Sequence, residues 1–327
     1  MRFIVASISS LILFLFAFQY CLAGGYSYSL NLLADLPTGV QRPFKAIQTS
    51  RYAFAVFLDH NDKSPEEDVY FIGSRMLAYQ LLHDPETKTL LPGTPFIVMV
   101  SANVTQAKRQ RLELDGAKVI EVAHITSDWI HPASSRWNNL MDKLNVLTLT
   151  QFDRVVMLDT DVVIVRRMDG IFDDPAVKEE AIPLNREGQT RLDEGPIPHS
   201  YVMAANSENL AEPHPYPAPR GDRMNAGLMI VKPSLDAFQY YLSVLSIKDR
   251  FNSVYCEQAL FNYVHRRSGN LPWKQIHHRW TINHPTFSDY RAGVSAIHAK
   301  FWNCRDSMLR DVLLKSRWMM EGYWTAR

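Results

Sequence analysis

The sequence predicts an α/β fold, a doubly wound, mainly parallel sheet flanked by helices. Three observations carry this. Apolar runs alternate with helical stretches through the first half of the chain, the order that builds parallel sheets with right-handed crossovers. The runs at 53–57 and 155–158 are apolar at every position, as in strands buried on both faces. The second run stops on Asp159-Thr160-Asp161, and aspartates are poor strand formers, so the pair sits where an open α/β sheet binds its ligands, at the carboxyl edge.

In order, the first strand spans 52–58. A helix follows over 69–82, with Ile72, Met76 and Leu77 on one face. The second strand is 95–101, and a polar helix over 105–114 is ended by Asp115-Gly116. The third strand is 118–122. The segment 137–149 reads as an amphipathic helix with Leu140, Leu144 and Leu147 at helical spacing, and the carboxylate strand comes directly after it. The second half is less regular. Residues 186–223, with Pro213, Pro215, Pro217 and Pro219, read largely as loop. A strand returns at 227–231, Pro233-Ser234 opens a helix with Leu235, Phe238, Leu242 and Leu245 inward, and 257–264 forms another short helix. No internal repeat is visible.

Composition narrows the function classes. Thirty-five Lys and Arg against 34 Asp and Glu give a formal charge of +1, and the cations are not gathered on one stretch, which argues against nucleic acid as a partner. Arg2 followed by the apolar run 3–18 and Cys21-Leu22-Ala23 reads as a secretory leader over 1–23, and 3–23 is also long enough to serve as an uncut signal anchor. That is the one predicted route to a membrane. Residues 24–50 read as a stem or lead-in, and 51–327 as the folded domain. Asn103-Val104-Thr105 is a glycosylation sequon. Beyond the leader only Cys256 and Cys304 occur, enough for one disulfide or two free thiols and too few for a cysteine-based zinc site.

Two carboxylates one residue apart at a sheet edge can reach one divalent cation, and hard oxygen ligands suit magnesium, manganese or calcium. The expected ligand is phosphate-bearing.

Four blocks together resemble glycosyltransferase family 8, the glycogenin-like retaining enzymes with a GT-A type single domain. Asp142-Lys143-Leu144 and the run 149–161 resemble the family's lysine helix entering its Asp-x-Asp strand. Asn225-Ala226-Gly227-Leu228-Met229-Ile230 resembles the Asn-small-Gly strand. Glu257-Gln258-Ala259-Leu260-Phe261-Asn262 resembles the acid-Gln helix start. Ile297-His298, followed by Lys300 and Trp302, resembles the segment carrying the metal histidine. The resemblance covers about 52–302. It implies a manganese or magnesium ion held by Asp159, Asp161 and His298; a mixed carboxylate and imidazole shell favours manganese over calcium. It implies donor contacts from Lys143, Asp159, Asp161, Gly227 and Lys300, and catalytic roles at Asn225, Glu257 and Gln258. Gly227, lacking a Cβ, permits close approach of a ligand or another strand. Two positions depart from the family pattern: Glu257 stands where an aspartate is usual, and Lys300 follows His298 almost at once, with Phe301 in place of proline.

The reading is a metal-dependent retaining transfer of sugar from a nucleotide sugar, in particular a UDP-sugar, to a carbohydrate, protein or small-molecule hydroxyl, in the Golgi lumen or after secretion. Its rivals are a catalytically silent nucleotide-sugar or glycan-binding homologue and a metal-dependent phosphodiester hydrolase. Acceptor choice is assigned to 186–223, since loops carry specificity on a rigid scaffold.

Overall fold

The computed structural model describes residues 50–182, 191–209 and 212–327. The predicted leader and all but the last residue of the lead-in lie outside the described residues, as does part of the proline-rich segment. Among the described residues no helix is long and apolar enough to cross a membrane.

The strands are β1 (Tyr52–Leu58), β2 (Phe96–Val100), β3 (Lys118–Glu121), β4 (Arg154–Leu158), β5 (Val162–Ile164), β6 (Glu180–Ala181), β7 (Ser200–Tyr201), β8 (Met203–Ser207), β9 (Met224–Val231), β10 (Lys274–Gln275), β11 (Thr281–Asn283) and β12 (Ala296–His298). Seven form a sheet in the order β10-β8-β9-β4-β1-β2-β3. Only β9 runs against the others, pairing antiparallel with β4 and β8. The chain winds outward from β1 through β2 to β3, then returns to place β4 on the other side of β1. This reversal is the switch point at which open α/β sheets bind ligands.

Alternate residues of each inner strand enter different cores. Ala53, Ala55, Phe57, Val155 and Met157 pack with the Leu140–Thr148, Leu235–Leu245 and Cys256–Val264 segments. Phe54, Val56, Leu58, Val156 and Leu158 pack with the Val69–Leu82 and Gln106–Leu114 helices. Burial on both faces explains the unbroken apolar runs. The Phe287–Ala292 and Ser307–Thr325 helices follow, and the latter seals a third cluster with Leu309, Leu313 and Met320 against Ile72, Met76 and Phe301.

The structure corrects several expectations. The 137–149 segment is not an α-helix: Ser135–Trp137 and Leu140–Thr148 are 3-10 turns. Side chains fix it from inside, Asp142 accepting from the Ile125 amide at 2.6 Å and Asn145 donating to the Ala123 carbonyl at 2.8 Å. Such side-chain bonds to backbone compete with a regular helix, and Lys143 is buried within the segment. The proline-rich stretch is less of a loop than expected, because β7 and β8 lie within it and β8 joins the main sheet. In the Leu235–Leu245 helix the inward face is Ala237, Tyr240, Tyr241, Val244 and Leu245, whereas Leu235 is exposed. Cys256 and Cys304 are free thiols. Asn103 of the sequon is exposed in the turn after β2.

Candidate functional site

The sequence-predicted site residues other than Lys300 lie on, or in the turn joining, elements that meet at the carboxyl edge of β4. The strand ends at Leu158, and the turn Asp159-Thr160-Asp161 leads into β5. The Asp159 amide donates to the Gly227 carbonyl at 2.8 Å, which ties the turn to β9. Because β9 is antiparallel, its first residues, including Asn225, lie at this same edge. β12 pairs antiparallel with β5, setting His298 opposite Val162, and the Ala299 amide donates to the Asp161 carbonyl at 3.2 Å.

Asp159, Asp161 and His298 thus converge, offering one carboxylate oxygen each and a ring nitrogen within 4.8 Å of one another. His298 Nε2 lies 3.1 Å from Asp161 Oδ1 and 3.8 Å from Asp159 Oδ2. On its other side, His298 Nδ1 is 3.1 Å from Asn225 Oδ1. That Asn225 oxygen also accepts from the Gly227 amide at 3.0 Å, so it is an acceptor and the proton belongs on Nδ1. Nε2 is therefore the nitrogen available to a cation, held in orientation by its neighbour as metal-binding imidazoles are. Gly227 makes room for this ring: a Cβ there would lie 2.1 Å from His298 Cε1 and 2.2 Å from Nδ1.

Burial opposes a charge on His298, but Asp161 more than offsets it and raises its pKa. Burial likewise opposes ionisation of Asp161, and His298, then Lys300 and Lys143, bring its pKa below the usual carboxylate value. The two carboxylates, the oriented imidazole and their spacing fit a manganese or magnesium ion.

Lys143 is the second centre. Its Nζ lies 2.6 Å from Asp159 Oδ1 and 2.7 Å from Glu257 Oε1, with lysine and glutamate both about 5% exposed. Burial alone would discharge the lysine; Asp159, then Glu257, holds its pKa above the ordinary value. Burial raises the Glu257 pKa, with Lys143 opposing. The ammonium is thus shared by two carboxylates, and one of them is a member of the metal cluster. Gln258 Oε1 accepts from the Ala226 amide at 2.9 Å while its Nε2 donates to Glu208 at 3.1 Å. Lys300 is exposed just past β12.

Sequence reasoning missed four participants. Gly73, in the Val69–Leu82 helix, sits against the carboxylate turn: a Cβ there would fall 1.9 Å from the Thr160 carbonyl oxygen. Asp59, at the end of β1, accepts from Asn139 Nδ2 at 3.1 and 3.0 Å through its two oxygens. Glu208, after β8, orients Gln258. A glycine inside an apolar helical run was a signal, since it costs about 1 kcal/mol relative to alanine; Asp59, Asn139 and Glu208 carried none.

The architecture is a GT-A type, glycosyltransferase-like fold. The crystal structure of the glycosyltransferase GlyE of Streptococcus pneumoniae TIGR4 aligns with a TM-score of 0.50 at 12% identity, over 84% of this chain and 64% of that one. This chain therefore spans a little under two thirds of that protein. No protein-family model matches the chain. The chain belongs to one family with an uncharacterized protein of Schizosaccharomyces pombe, 31% identical over 279 residues, covering 76% of this chain and 72% of that protein. A shorter stretch of 106 residues is 26% identical to the inositol phosphorylceramide glucuronosyltransferase 1 of Arabidopsis thaliana, over 32% of this chain and 18% of that protein.

Proposed function

We propose that the protein is a metal-dependent, retaining glycosyltransferase of the family 8 type, transferring a sugar from a nucleotide sugar, in particular a UDP-sugar, to a glycan, protein or small-molecule hydroxyl in the secretory pathway. The observation that carries the reading is the convergence of Asp159, Asp161 and His298 at the sheet's switch point, joined through Asp159 to the buried Lys143–Glu257 pair. The stretch shared with a plant glucuronosyltransferase supports the reaction class, and the apolar leader supports the compartment.

A divalent ion held by Asp159, Asp161 and His298 supplies, when bound, the positive charge that makes a nucleoside diphosphate a competent leaving group. The chain's own residues do the rest. Lys143 fixes Asp159 and Glu257 relative to each other, so neither carboxylate has to reorganise as charge develops. Asn225 keeps Nε2 of His298 aimed into the cluster. Glu257, buried and anionic against Lys143, offers negative charge to a sugar that becomes positive as its leaving group departs. Lys300 adds an exposed positive charge on the diphosphate side. Gln258, held by Glu208 and Ala226, lines the sugar pocket.

Product analysis tests this. Incubation with manganese and UDP-sugars should yield UDP and a glycoside of unchanged anomeric configuration. Release of sugar phosphate would instead mark a phosphodiester hydrolase, and tight UDP binding without turnover a silent homologue.

A further inference from the structure

Cys256 opens the helix that carries Glu257 and Gln258, and its backbone is unusual. Its φ is 48° and ψ −125°, a conformation open to glycine and strained for any residue with a Cβ. Asp249 and His284 also have positive φ, but their short polar and imidazole side chains are of the kinds that enter the left-handed region most readily. Cys256 has no such excuse. Strain of this kind persists only where the surroundings dictate it, and here they do. The thiol is fully buried and donates to the Trp137 carbonyl at 3.3 Å. One residue on, Glu257 meets Lys143. Gln258 takes the Ala226 amide, and Asn262 accepts from the Met224 amide at 2.8 Å and donates to its carbonyl at 2.9 Å. The helix is thereby fixed to the start of β9 on one side and to the Leu140–Thr148 segment on the other.

We propose that Cys256 is a positioning residue, a strained backbone elbow that aims Glu257 at Lys143 and so sets the buried carboxylate wall of the sugar site before substrate arrives. An unstrained helix start would rotate Glu257 away from the ammonium. The catalytic part of this proposal rests on the glycosyltransferase reading; the strain does not.

Comparing Cys256→Ala with Cys256→Gly tests both parts, because each removes the thiol and only the second removes the Cβ. At an unstrained position glycine is the less stable of the two, since it loses more chain entropy on folding; at a strained elbow the order reverses. The glycine variant should melt above the alanine variant. Alanine, still strained and without the thiol's hold on the Trp137 carbonyl, relaxes out of the elbow, so its kcat should fall at least about tenfold below that of glycine, with KM for the nucleotide sugar within about twofold, because geometry rather than binding is lost. A glycine variant that melts below alanine, or fails to fold where alanine folds, removes the strain. One that turns over no faster than alanine removes the positioning role. If the wild-type protein shows no manganese-dependent UDP binding, the functional reading fails, while the melting comparison still decides the strain.

Discussion

Gly73→Ala is the substitution whose consequence can be worked most directly from the geometry. A Cβ at this position lies 1.9 Å from the Thr160 carbonyl oxygen and 3.1 Å from its carbon. Real Cβ contacts do not fall below 3.0 Å, so the two backbones must separate by about 1.1 Å. Thr160 is buried between Asp159 and Asp161, and a displaced carbonyl carries both carboxylates with it. Overpacking costs about 1–3 kcal/mol, against which alanine's better helix propensity returns about 1 kcal/mol. The net loss of stability is modest, whereas a misplacement of about 1 Å costs on the order of 100-fold in rate. The assay is manganese-dependent UDP binding and sugar transfer by the purified variant. Gly322→Ala is the control, because a Cβ there meets nothing within 4 Å and should stabilise by about 0.4–1 kcal/mol. A Gly73→Ala protein that binds manganese and UDP as tightly as wild type would refute the reasoning that this glycine seats the carboxylate turn.

Gly227→Ala drives a Cβ into the His298 ring and should abolish manganese-dependent binding while leaving the melting temperature within a few degrees. Lys143→Met leaves the buried Glu257 without its counter-charge and takes from Asp159 the nearer of its two basic neighbours; it should cost about 3 kcal/mol by chemical denaturation, and adding Glu257→Gln should restore part of that loss. His265 is buried, donates from Nδ1 to the Leu271 carbonyl at 2.5 Å and accepts from the Tyr241 hydroxyl, and burial lowers its pKa from 6.5 to about 4. Because the folded-state pKa is depressed, the stability it contributes is full above pH 6.5 and is lost as pH falls toward 4. From pH 8 to pH 5 this amounts to about 2 kcal/mol, and His265→Gln should flatten that part of the stability profile. An unchanged slope would show that the imidazole titrates freely.

The inner strands were legible because burial on both faces leaves an unbroken apolar run, and Tyr52–Leu58 appears at its predicted bounds. The carboxylate turn was legible because aspartates at the end of such a run have no packing role. Where sequence reading failed, the determinant was non-local. Met203–Ser207 is a strand because β9 and β10 flank it, not because of its own pattern among prolines. Leu140–Thr148 carries leucines at helical spacing, but bonds from Asp142 and Asn145 to residues about 20 positions away fix it as a 3-10 segment. Gly227 was expected to admit a ligand or another strand; in the structure its missing Cβ leaves room for the His298 side chain, a contact no local pattern announces.

The central claim is that Asp159, Asp161 and His298 hold a divalent ion for a nucleotide sugar, and thermal unfolding with UDP tests it most directly. UDP with manganese at a hundredfold over the dissociation constant adds about 2.7 kcal/mol, about 5 °C for a folded unit of this size. The account predicts that shift in wild type, its loss with chelator, and its loss in Asp161→Ala. A shift of equal size in Asp161→Ala, or none in folded wild-type protein, would contradict it.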